Sequence, residues 1–313
     1  MVSSVLVSGG YGFIGSHIVD RLLSEGYSVG ILDNLSTGTK NNIHSERMTK
    51  LKFHNVDIVD LVSLTKAVKG YEAVLHQAAL VSVKRSVEDP MTTHMVNATG
   101  TLNLLKAALE NKVKKFVYAS SSSVYGNTES LPKREDMKCS PISPYAVSKL
   151  AGECYCTSFA YVYGLVTVNL RYFNVYGPRQ REGPYSGVIP IFVEKVMRNE
   201  NPQIFGDGNQ TRDFTYVDDV VQANLLSLEK DIEPGEVFNV ATGRPVTINE
   251  LAQIICKLSG KTELRPVHCE PRPGDVKASY ADISKASSVL GYKPNISLEI
   301  GIKKVMEWFK NRQ

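Results

Sequence analysis

Tyr145 and Lys149 lie four residues apart, in a segment whose pattern predicts a helix. At that spacing both side chains lie on one face of a helix, one turn apart. A tyrosine hydroxyl, with a pKa near 10, is a poor base at neutral pH, but a neighbouring ammonium lowers that pKa. Serines fill positions 120–123 after a predicted strand, and Ser121 can share the proton path and orient a reacting hydroxyl. The pattern predicts a base that removes the proton of an alcohol.

A glycine-rich loop near the N-terminus predicts a dinucleotide site. Its residues are Gly9, Gly10, Tyr11, Gly12, Phe13, Ile14 and Gly15. The loop lies between a predicted strand and a predicted helix, the context in which such a motif binds a pyrophosphate at the helix N-terminus. Asp33, at the end of the second predicted strand, is placed to accept hydrogen bonds from a ribose and to repel a 2′-phosphate. The motif therefore predicts NAD rather than NADP, with Asp57 and Ile58 bracketing the adenine.

The composition is that of a globular enzyme. The chain has 313 residues, 42% hydrophobic residues and a net charge of +4. It has no Lys/Arg block typical of a nucleic-acid arm or a membrane anchor, and no run of the ~18 apolar residues that a membrane-spanning helix needs. Its five cysteines lack metal-ligand spacing. We expect a cytoplasmic protein with reduced thiols, no bound metal, and neither nucleic acid nor membrane as a partner.

The first half of the chain alternates β-branched runs with helical patterns, which predicts an α/β fold. Strands are expected at residues 5–7, 28–33, 51–56, 73–77, 115–120 and 165–170, and helices after Gly12 and at 60–68, 92–111 and 143–163. Such alternation requires parallel strands with right-handed crossovers. The prediction is a doubly wound parallel (Rossmann) sheet with helices on both faces.

Beyond about residue 175 the character of the chain changes. Prolines and a Gly-Asp-Gly turn interrupt the sequence, and arginines are interspersed among the loops. We expect a smaller mixed α/β lobe that binds substrate. The predicted division is a nucleotide-binding domain at 1–175, to which residues 211–241 return, and a substrate lobe at 176–313.

Taken together, these segments resemble the extended short-chain dehydrogenase/reductase family, and within it the nucleotide-sugar 4-epimerases. The resemblance runs through residues 9–15, 33–35, 76–79, 120–126, 145–149, 171–179, 211–214 and 272–275. It implies that NAD takes hydride from C4 of a UDP-sugar while Tyr145 removes the O4 proton. The 4-keto sugar then rotates, and hydride returns to its opposite face.

The resemblance also implies which residues bind the two ligands. Those implied for NAD, besides the glycine loop, Asp33, Asp57, Ile58, Tyr145 and Lys149, are Asn34, Thr37, Gly38, Gln77, Ala78, Ala79, Asn97 and Tyr172. Those implied for the UDP-sugar are Ser82, Ser121, Ser122, Asn174, Val188, Phe192, Ile204, Phe205, Arg212, Arg272, Asp275 and Ser279. Arg212 and Arg272 resemble the family's diphosphate-binding arginines, and guanidinium forks suit phosphate oxygens.

Ser279 bears on the choice of sugar. In galactose-type epimerases a bulky tyrosine commonly fills the matching position and blocks an N-acetyl group, whereas a serine leaves room for it. The resemblance thus implies interconversion of UDP-GlcNAc and UDP-GalNAc. Because a roomy pocket seldom excludes a smaller ligand, UDP-glucose and UDP-galactose are expected as a second pair.

Other functions remain open at this level. Sugar 4,6-dehydratases carry an Asp-Glu pair where this chain has Ser122 and Ser123, which disfavours dehydration. One alternative is a UDP-glucuronate 4-epimerase, which needs a cation or donor cluster for the C5 carboxylate, and Arg85 and Arg179 are the candidates for it. Another UDP-sugar-modifying enzyme of the same family is a second alternative. A non-catalytic dinucleotide sensor that binds a partner protein is a further alternative, although the intact Tyr145 and Lys149 argue against it.

The resemblance also implies a homodimer. In this family two helices of each subunit pair into a four-helix contact, and the matching helices here are 92–111 and 143–163. Their apolar residues Leu102, Leu105, Ala108 and Leu109 fit that contact, but they equally fit packing against the sheet.

Overall fold

The computed structural model describes residues 2–43, 51–180, 187–271 and 276–311. Its strands are β1 (Ser4–Ser8), β2 (Ser28–Leu32), β3 (Leu51–His54), β4 (Ala73–His76), β5 (Lys115–Ser121), β6 (Val166–Tyr172), β7 (Val175–Tyr176), β8 (Gln203–Phe205), β9 (Thr211–Asp213), β10 (Thr215–Tyr216), β11 (Glu236–Val240), β12 (Pro245–Thr247), β13 (Val267–Cys269) and β14 (Ala278–Ser279).

The α-helices are α1 (Phe13–Ser24), α2 (Leu61–Val68), α3 (Val83–Glu88), α4 (Pro90–His94), α5 (Gly100–Glu110), α6 (Pro144–Tyr163), α7 (Val188–Met197), α8 (Val217–Glu229), α9 (Ile248–Leu258) and α10 (Leu298–Lys310). Short 3₁₀ segments cover Lys40–Asn42 and Ser122–Tyr125, and π segments cover Met95–Thr99 and Ala286–Leu290.

Seven parallel strands form the central sheet, in the order β11-β6-β5-β4-β1-β2-β3. Strand order reverses between β1 and β4, because β2 and β3 lie on one side of β1 while β4, β5 and β6 lie on the other. A ligand crevice forms beyond the carboxyl ends of the strands at such a reversal. The residues at those ends include Ser8, His76, Ser121 and Tyr172. The predicted doubly wound α/β fold is confirmed.

Helices cover both faces of the sheet and bury its apolar residues. On one face Ile18 and Leu22 of α1 pack with Val220 of α8. On the other face Leu64 of α2 and Phe159 of α6 belong to a second core cluster, which α5 also joins. The periodic apolar positions of α1 therefore do face the sheet, as their four-residue spacing predicts.

The predicted helix at 92–111 is interrupted in the structure. Asp89 caps α4 by accepting from the Thr92 amide, and Pro90 occupies the first turn, where its missing N–H is not needed. The π segment Met95–Thr99 then separates α4 from α5. A π turn inserts one residue into the helical repeat, so apolar periodicity alone does not locate it.

The apolar residues of α5 belong to the protein core. Leu105 and Ala108 are fully buried, and Leu102 and Leu109 are partly buried against the same cluster. Of the two uses expected for these four residues, the structure shows packing within the chain.

The second half of the chain builds a smaller lobe from three short sheets and helices α7, α9 and α10. Its sheets pair β10 with β7, β9 with both β12 and β14, and β13 with β8. Ile189, Phe192, Leu251 and Ile302 lie in its core. In between, α8 packs on α1, and β11 pairs with β6 to complete the central sheet. The exact domain bounds given above stay a prediction.

All five cysteines are free, and neighbouring Cys154 and Cys156 are exposed and buried respectively. Over the described ranges, no helix is both long and apolar enough to cross a membrane. Within the same ranges, no group of three or more His, Cys, Asp or Glu side chains is placed to hold a metal ion.

Candidate active site

The glycine loop forms a tight cradle at the start of α1. Gly9 has φ +68°, and a Cβ on it would lie 2.8 Å from the Ala78 Cα. A Cβ on Gly15 would lie 2.1 Å from the Gly9 carbonyl oxygen. Gly12 caps α1 without a side-chain hydrogen bond, and the first turn of that helix holds no acidic residue. Backbone amides and the positive helix end therefore face the loop, which fits the pyrophosphate of NAD.

Asp33 ties this loop to the end of β2. Its Oδ2 accepts from the Tyr11 amide at 3.0 Å and its Oδ1 from the Leu35 amide at 2.8 Å. Burial raises the pKa of Asp33, and the two amides oppose that shift. Since each carboxylate oxygen can accept more than one hydrogen bond, capacity remains for ribose hydroxyls.

The residues predicted to bind the adenosine end of NAD follow β2 and β3 in the chain. The Asn34 amide donates to Asp57 at 2.9 Å, and Gly38 packs so closely on Tyr11 that a Cβ would lie 2.8 Å from its carbonyl. Thr37 is exposed at the rim. Ile58 is buried against Gly100. Their contacts to NAD stay a prediction.

Gln77 and Tyr172, both predicted cofactor residues, meet at the carboxyl ends of β4 and β6. The Tyr172 hydroxyl donates to the Gln77 oxygen at 3.2 Å, and Asn224 donates to the Tyr172 oxygen at 2.8 Å. The Gln77 amide in turn donates to Asn224 at 3.1 Å, which closes a ring of three side chains. Asn224 was not predicted from the sequence, because it lies 147 residues from Gln77 on a helix of the returning segment.

Ala78 and Ala79 continue from Gln77 past the glycine loop, both half-buried. Next along the chain, Asn97 holds the Leu80 backbone, with its oxygen 2.8 Å from the Leu80 amide and its nitrogen 2.9 Å from the carbonyl. The Asn97 nitrogen also donates to Ser148 at 3.0 Å. Asn97 thus joins the nucleotide loop region to α6 from its place in the π segment.

Tyr145 and Lys149 face β5 from α6. Ser121 lies next to the Tyr145 hydroxyl, close enough to lower its pKa, and its oxygen accepts from the Ser123 hydroxyl at 2.9 Å. The Lys149 ammonium donates to the Ala119 carbonyl at 2.7 Å and lies 5.0 Å from the centroid of the Tyr118 ring. The structure thus brings the three predicted catalytic residues to one strand end.

Burial shifts the pKa values of both Tyr145 and Lys149. Burial raises the pKa of Tyr145, and the hydrogen bond from Ser121 opposes that shift. Burial also lowers the pKa of Lys149 to about 7. In the protein without NAD, desolvation dominates at Tyr145, and the Lys149 ammonium is directed at a backbone carbonyl. That Lys149 and oxidised nicotinamide together lower the pKa of the phenol stays a prediction.

His76, at the end of β4, is buried and neutral. Its Nδ1 is 2.6 Å from the Ser8 hydroxyl and its Nε2 is 2.9 Å from the Thr101 hydroxyl. Because Thr101 donates to the Asn97 carbonyl at 2.6 Å, Nε2 carries the proton and Nδ1 accepts from Ser8. Burial lowers the pKa of His76 to about 3, and the nearby Lys149 charge acts in the same direction.

Several predicted substrate residues come together in the smaller lobe. Arg212 of β9 pairs in register with Ser279 of β14. Asn174, with φ +32°, donates to the Asp213 carbonyl at 3.2 Å. Asp213 is buried and accepts from Thr242, Gly243 and Ala281, which fixes β9 against the segment that follows Ser279.

The other predicted substrate residues are more scattered. Phe192 and Ile204 are buried in the core of the lobe, whereas Val188 and Phe205 are half-buried. Ser82 accepts from the Arg85 amide as the cap of α3, and Ser122 is half-buried after Ser121. Arg272 and Asp275 lie outside the described residues.

The two arginines considered for a substrate carboxylate are placed differently. Arg179 forms an ion pair with Asp20 of α1, at 2.7 Å between Nη2 and Oδ2. The side chain of Arg179 is therefore held against the nucleotide-binding helix, and its charge is already compensated. Arg85 lies exposed on α3.

A parallel α/β sheet with a glycine cradle and a Tyr–Ser–Lys group at the strand ends defines a dinucleotide-dependent enzyme class. A family model described as the NAD dependent epimerase/dehydratase family matches residues 5–241. Since this match covers most of the chain, the protein belongs to that family, and its cofactor is NAD.

Three proteins that are similar to this chain over almost its whole length are UDP-sugar 4-epimerases. The UDP-glucose 4-epimerase of Mycolicibacterium smegmatis is 42% identical over 311 residues, with 98% of each chain covered. The crystal structure of Thermotoga maritima UDP-glucose 4-epimerase with UDP-glucose matches with a TM-score of 0.94 at 42% identity, covering 99% of both chains. A UDP-N-acetylglucosamine 4-epimerase from Methanobrevibacter ruminantium, in complex with UDP-N-acetylmuramic acid, matches with a TM-score of 0.95 at 40% identity, covering 100% of this chain and 99% of the other.

Proposed function

We propose that the protein is a UDP-sugar 4-epimerase that interconverts UDP-GlcNAc and UDP-GalNAc, with UDP-glucose and UDP-galactose as a second pair. The observation that carries the proposal is that Tyr145 and Lys149 of α6 reach the crevice end of β5, where the Lys149 ammonium donates to the Ala119 carbonyl at 2.7 Å and Ser121 lies next to the Tyr145 phenol. A proton acceptor at this strand end would lie one strand from the point where the strand order reverses, on the same edge of the sheet as the glycine cradle suited to NAD. The similarity to 4-epimerases of two different UDP-sugars supports the reaction type without selecting the sugar.

The proposed roles follow from the contacts of each side chain. Tyr145 takes the proton from the sugar hydroxyl and returns it, and Ser121 holds the phenol oxygen during the exchange. Lys149 is held by Ala119 on the same face of α6, where its positive charge favours the ionised phenol. NAD, when bound, supplies the acceptor and donor of hydride and a further positive charge that favours the phenolate. Since hydride is taken and returned, the reaction has no net redox change.

The preference for an N-acetylated sugar rests on Ser279. Ser279 pairs in register with Arg212 of β9. The arginine proposed to bind the diphosphate and the residue proposed to limit the size of the sugar therefore lie side by side. A serine there leaves space and can donate a hydrogen bond to an acetamido oxygen. Space alone does not reject the smaller hexose, and for this reason both pairs are proposed.

The direct test is a substrate panel on purified, NAD-loaded protein. UDP-GlcNAc, UDP-glucose and UDP-glucuronate are incubated separately, and the products are followed by proton NMR. We expect UDP-GalNAc and UDP-galactose to form from the first two, and slower or no turnover of UDP-glucuronate because Arg179 is engaged by Asp20. A folded, NAD-loaded sample that converts none of the three would refute the proposal.

We further propose that two copies of the chain associate through α4 and α6. These helices pack side by side and expose the apolar side chains Met91, Val147, Tyr155 and Val162, of which Met91 is 71% exposed. A monomer rarely leaves so many apolar side chains in water along one pair of helices. Analytical ultracentrifugation should give twice the mass of one chain, and Met91→Glu with Tyr155→Glu should shift it toward a monomer.

A further inference from the structure

Three side chains on one face of α6 contact three consecutive residues of β5. Tyr145 lies next to Ser121, and the Lys149 ammonium donates to the Ala119 carbonyl at 2.7 Å. One turn further on, Glu153 accepts from the Ser120 hydroxyl at 2.7 Å. The spacing i, i+4, i+8 keeps all three on the same face. The first two side chains belong to the proposed reaction, whereas the third has no role in it.

The third contact is built as a buried ion pair. Arg171, the in-register neighbour of Ser120 on β6, donates to Glu153 through Nε at 3.1 Å and Nη2 at 2.5 Å. Ser120, Glu153 and Arg171 are all almost completely buried. With Ser120, the Glu153 carboxylate receives three hydrogen bonds, so its charge is both paired and satisfied.

The same guanidinium reaches the segment that follows Ser121. It lies 4.7 Å from the centroid of the Tyr125 ring, at the end of the 3₁₀ segment Ser122–Tyr125. Its Nη2 also lies 3.2 Å from the Cys139 sulfur. Arg171 therefore contacts β5, α6 and the polypeptide on the far side of Ser121 at one point.

The helix approaches the strand closely between these contacts. A Cβ on Gly152 would lie 2.3 Å from the Tyr118 hydroxyl, which itself donates to the Lys149 carbonyl at 3.3 Å. A shift of α6 by one residue would move each side chain about 1.5 Å along the axis and rotate it by roughly 100°. All three contacts to β5 would then be lost together.

We propose that Glu153, Ser120 and Arg171 are positioning residues: they fix α6 on β5 so that Tyr145 meets Ser121 and Lys149 meets Ala119. The inference rests on the proposed function, in that it assigns a role to these residues in the reaction of Tyr145. Ser120 and Ser121 thus have different tasks, since the Ser120 hydroxyl donates to Glu153 and not to the reacting phenol.

The test uses NAD-loaded protein and two kinds of variant. Ser120→Ala removes one hydrogen bond without changing the charge. The double variant Glu153→Leu/Arg171→Met removes both charges together, so that it leaves no unpaired ion in the interior. Glu25→Gln, which breaks the exposed Arg21–Glu25 pair, is the matched control.

Two measurements are made on each variant. The first is kcat and KM with whichever UDP-sugar the wild type converts. We expect kcat to fall about fivefold in Ser120→Ala and tenfold or more in the double variant, with KM changing less than twofold and no change in the control. The second needs no sugar: the NMR signal of the Tyr145 ring carbon that bears the hydroxyl, assigned by its loss in Tyr145→Phe, should shift in both variants.

The two measurements separate the possible failures. Wild-type kcat and an unmoved Tyr145 signal in both variants would overturn the positioning role. So would a loss of activity that only follows the folded fraction in a thermal melt, because the residues would then act on stability alone. If the wild type converts no UDP-sugar, the proposed function fails, and the Tyr145 signal still decides whether the three residues position that side chain.

Discussion

In the folded protein the Lys149 ammonium is buried, and it contacts two protein groups instead of water: the Ala119 carbonyl and the face of the Tyr118 ring. Burial lowers its pKa to about 7, whereas burial raises the pKa of Tyr145. Burial in the protein therefore disfavours the charged form of both side chains. The positive charge of bound NAD would favour the ionised form of Tyr145. A phenolate there would in turn favour the ammonium form of Lys149, so the two side chains would become charged together.

Tyr145→Phe should reduce the epimerisation rate by roughly 10²–10⁴-fold, the usual contribution of a general base. NAD binding should persist, because the change removes only the hydroxyl. The rate is measured by NMR and the bound NAD is quantified after denaturation. Tyr155→Phe, an exposed position on the same helix, is the control and should keep the wild-type rate.

His76 should make folding sensitive to acid. In the folded protein it stays neutral down to a pKa of about 3, while in the unfolded chain it binds a proton below about 6.5. The unfolded state thus binds more protons between these values, and the free energy of unfolding should fall by up to ~1.4 kcal/mol per pH unit as the pH drops through that window.

Urea unfolding of the wild type and His76→Gln at pH 7 and pH 4.5 measures this contribution. We expect the variant to lose less stability between the two pH values than the wild type does. The exposed His94→Gln variant should behave as the wild type. An equal pH dependence in all three proteins would contradict the assignment.

Among the elements, α6 carries most of the chemistry, and its start is fixed by a local signal. The Ser143 side chain accepts from the Ala146 amide at 3.2 Å, and Pro144 fills the first helical position. Ser143→Ala should lower the free energy of unfolding by about 1 kcal/mol. Denaturant titration measures the loss, with exposed Ser158→Ala as a control that should change by only a few tenths of a kcal/mol.

Gly152 tests how closely α6 must approach β5. An added methyl group would meet the Tyr118 hydroxyl, so Gly152→Ala should push the helix away or displace the ring. We expect a tenfold or greater loss of epimerisation rate, although alanine is the better helix former. Thr157→Ala, on the exposed side of the same helix, should leave the rate unchanged. A fully active Gly152→Ala would show that this approach is not required.

Local sequence signals predicted those parts of the site that lie within one element. The glycine spacing in residues 9–15 is typical of a turn between a strand and a helix. The four-residue spacing of Tyr145 and Lys149 is typical of two side chains on one helix face. The ring of Gln77, Tyr172 and Asn224 has no such signal, since its members come from three elements. The ion pair between Glu153 and Arg171 could not be predicted from the sequence either. Charged residues are mostly exposed in proteins, so both would be assigned to the surface until their neighbours in the fold are known.

At the scale of the whole molecule, the two lobes are interleaved along the chain. Strand β11 pairs with β6 over Glu236–Val240, after the chain has already built β7 to β10 and α7 in the smaller lobe. The fragment 1–175 would therefore leave β6 as an open edge and remove α8 from α1. Expressed alone, that fragment should aggregate or melt well below the full chain in a thermal scan.

The late arrival of β11 has a consequence for synthesis on the ribosome. The nucleotide-binding sheet stays unfinished until roughly 65 further residues have emerged behind β6, by the spacing of the two strands in the chain. At about 5–20 residues per second, the unpaired edge is open for several seconds or more. Chaperones that shield exposed strands would have that interval in which to act, and a slow codon between the two strands would lengthen it.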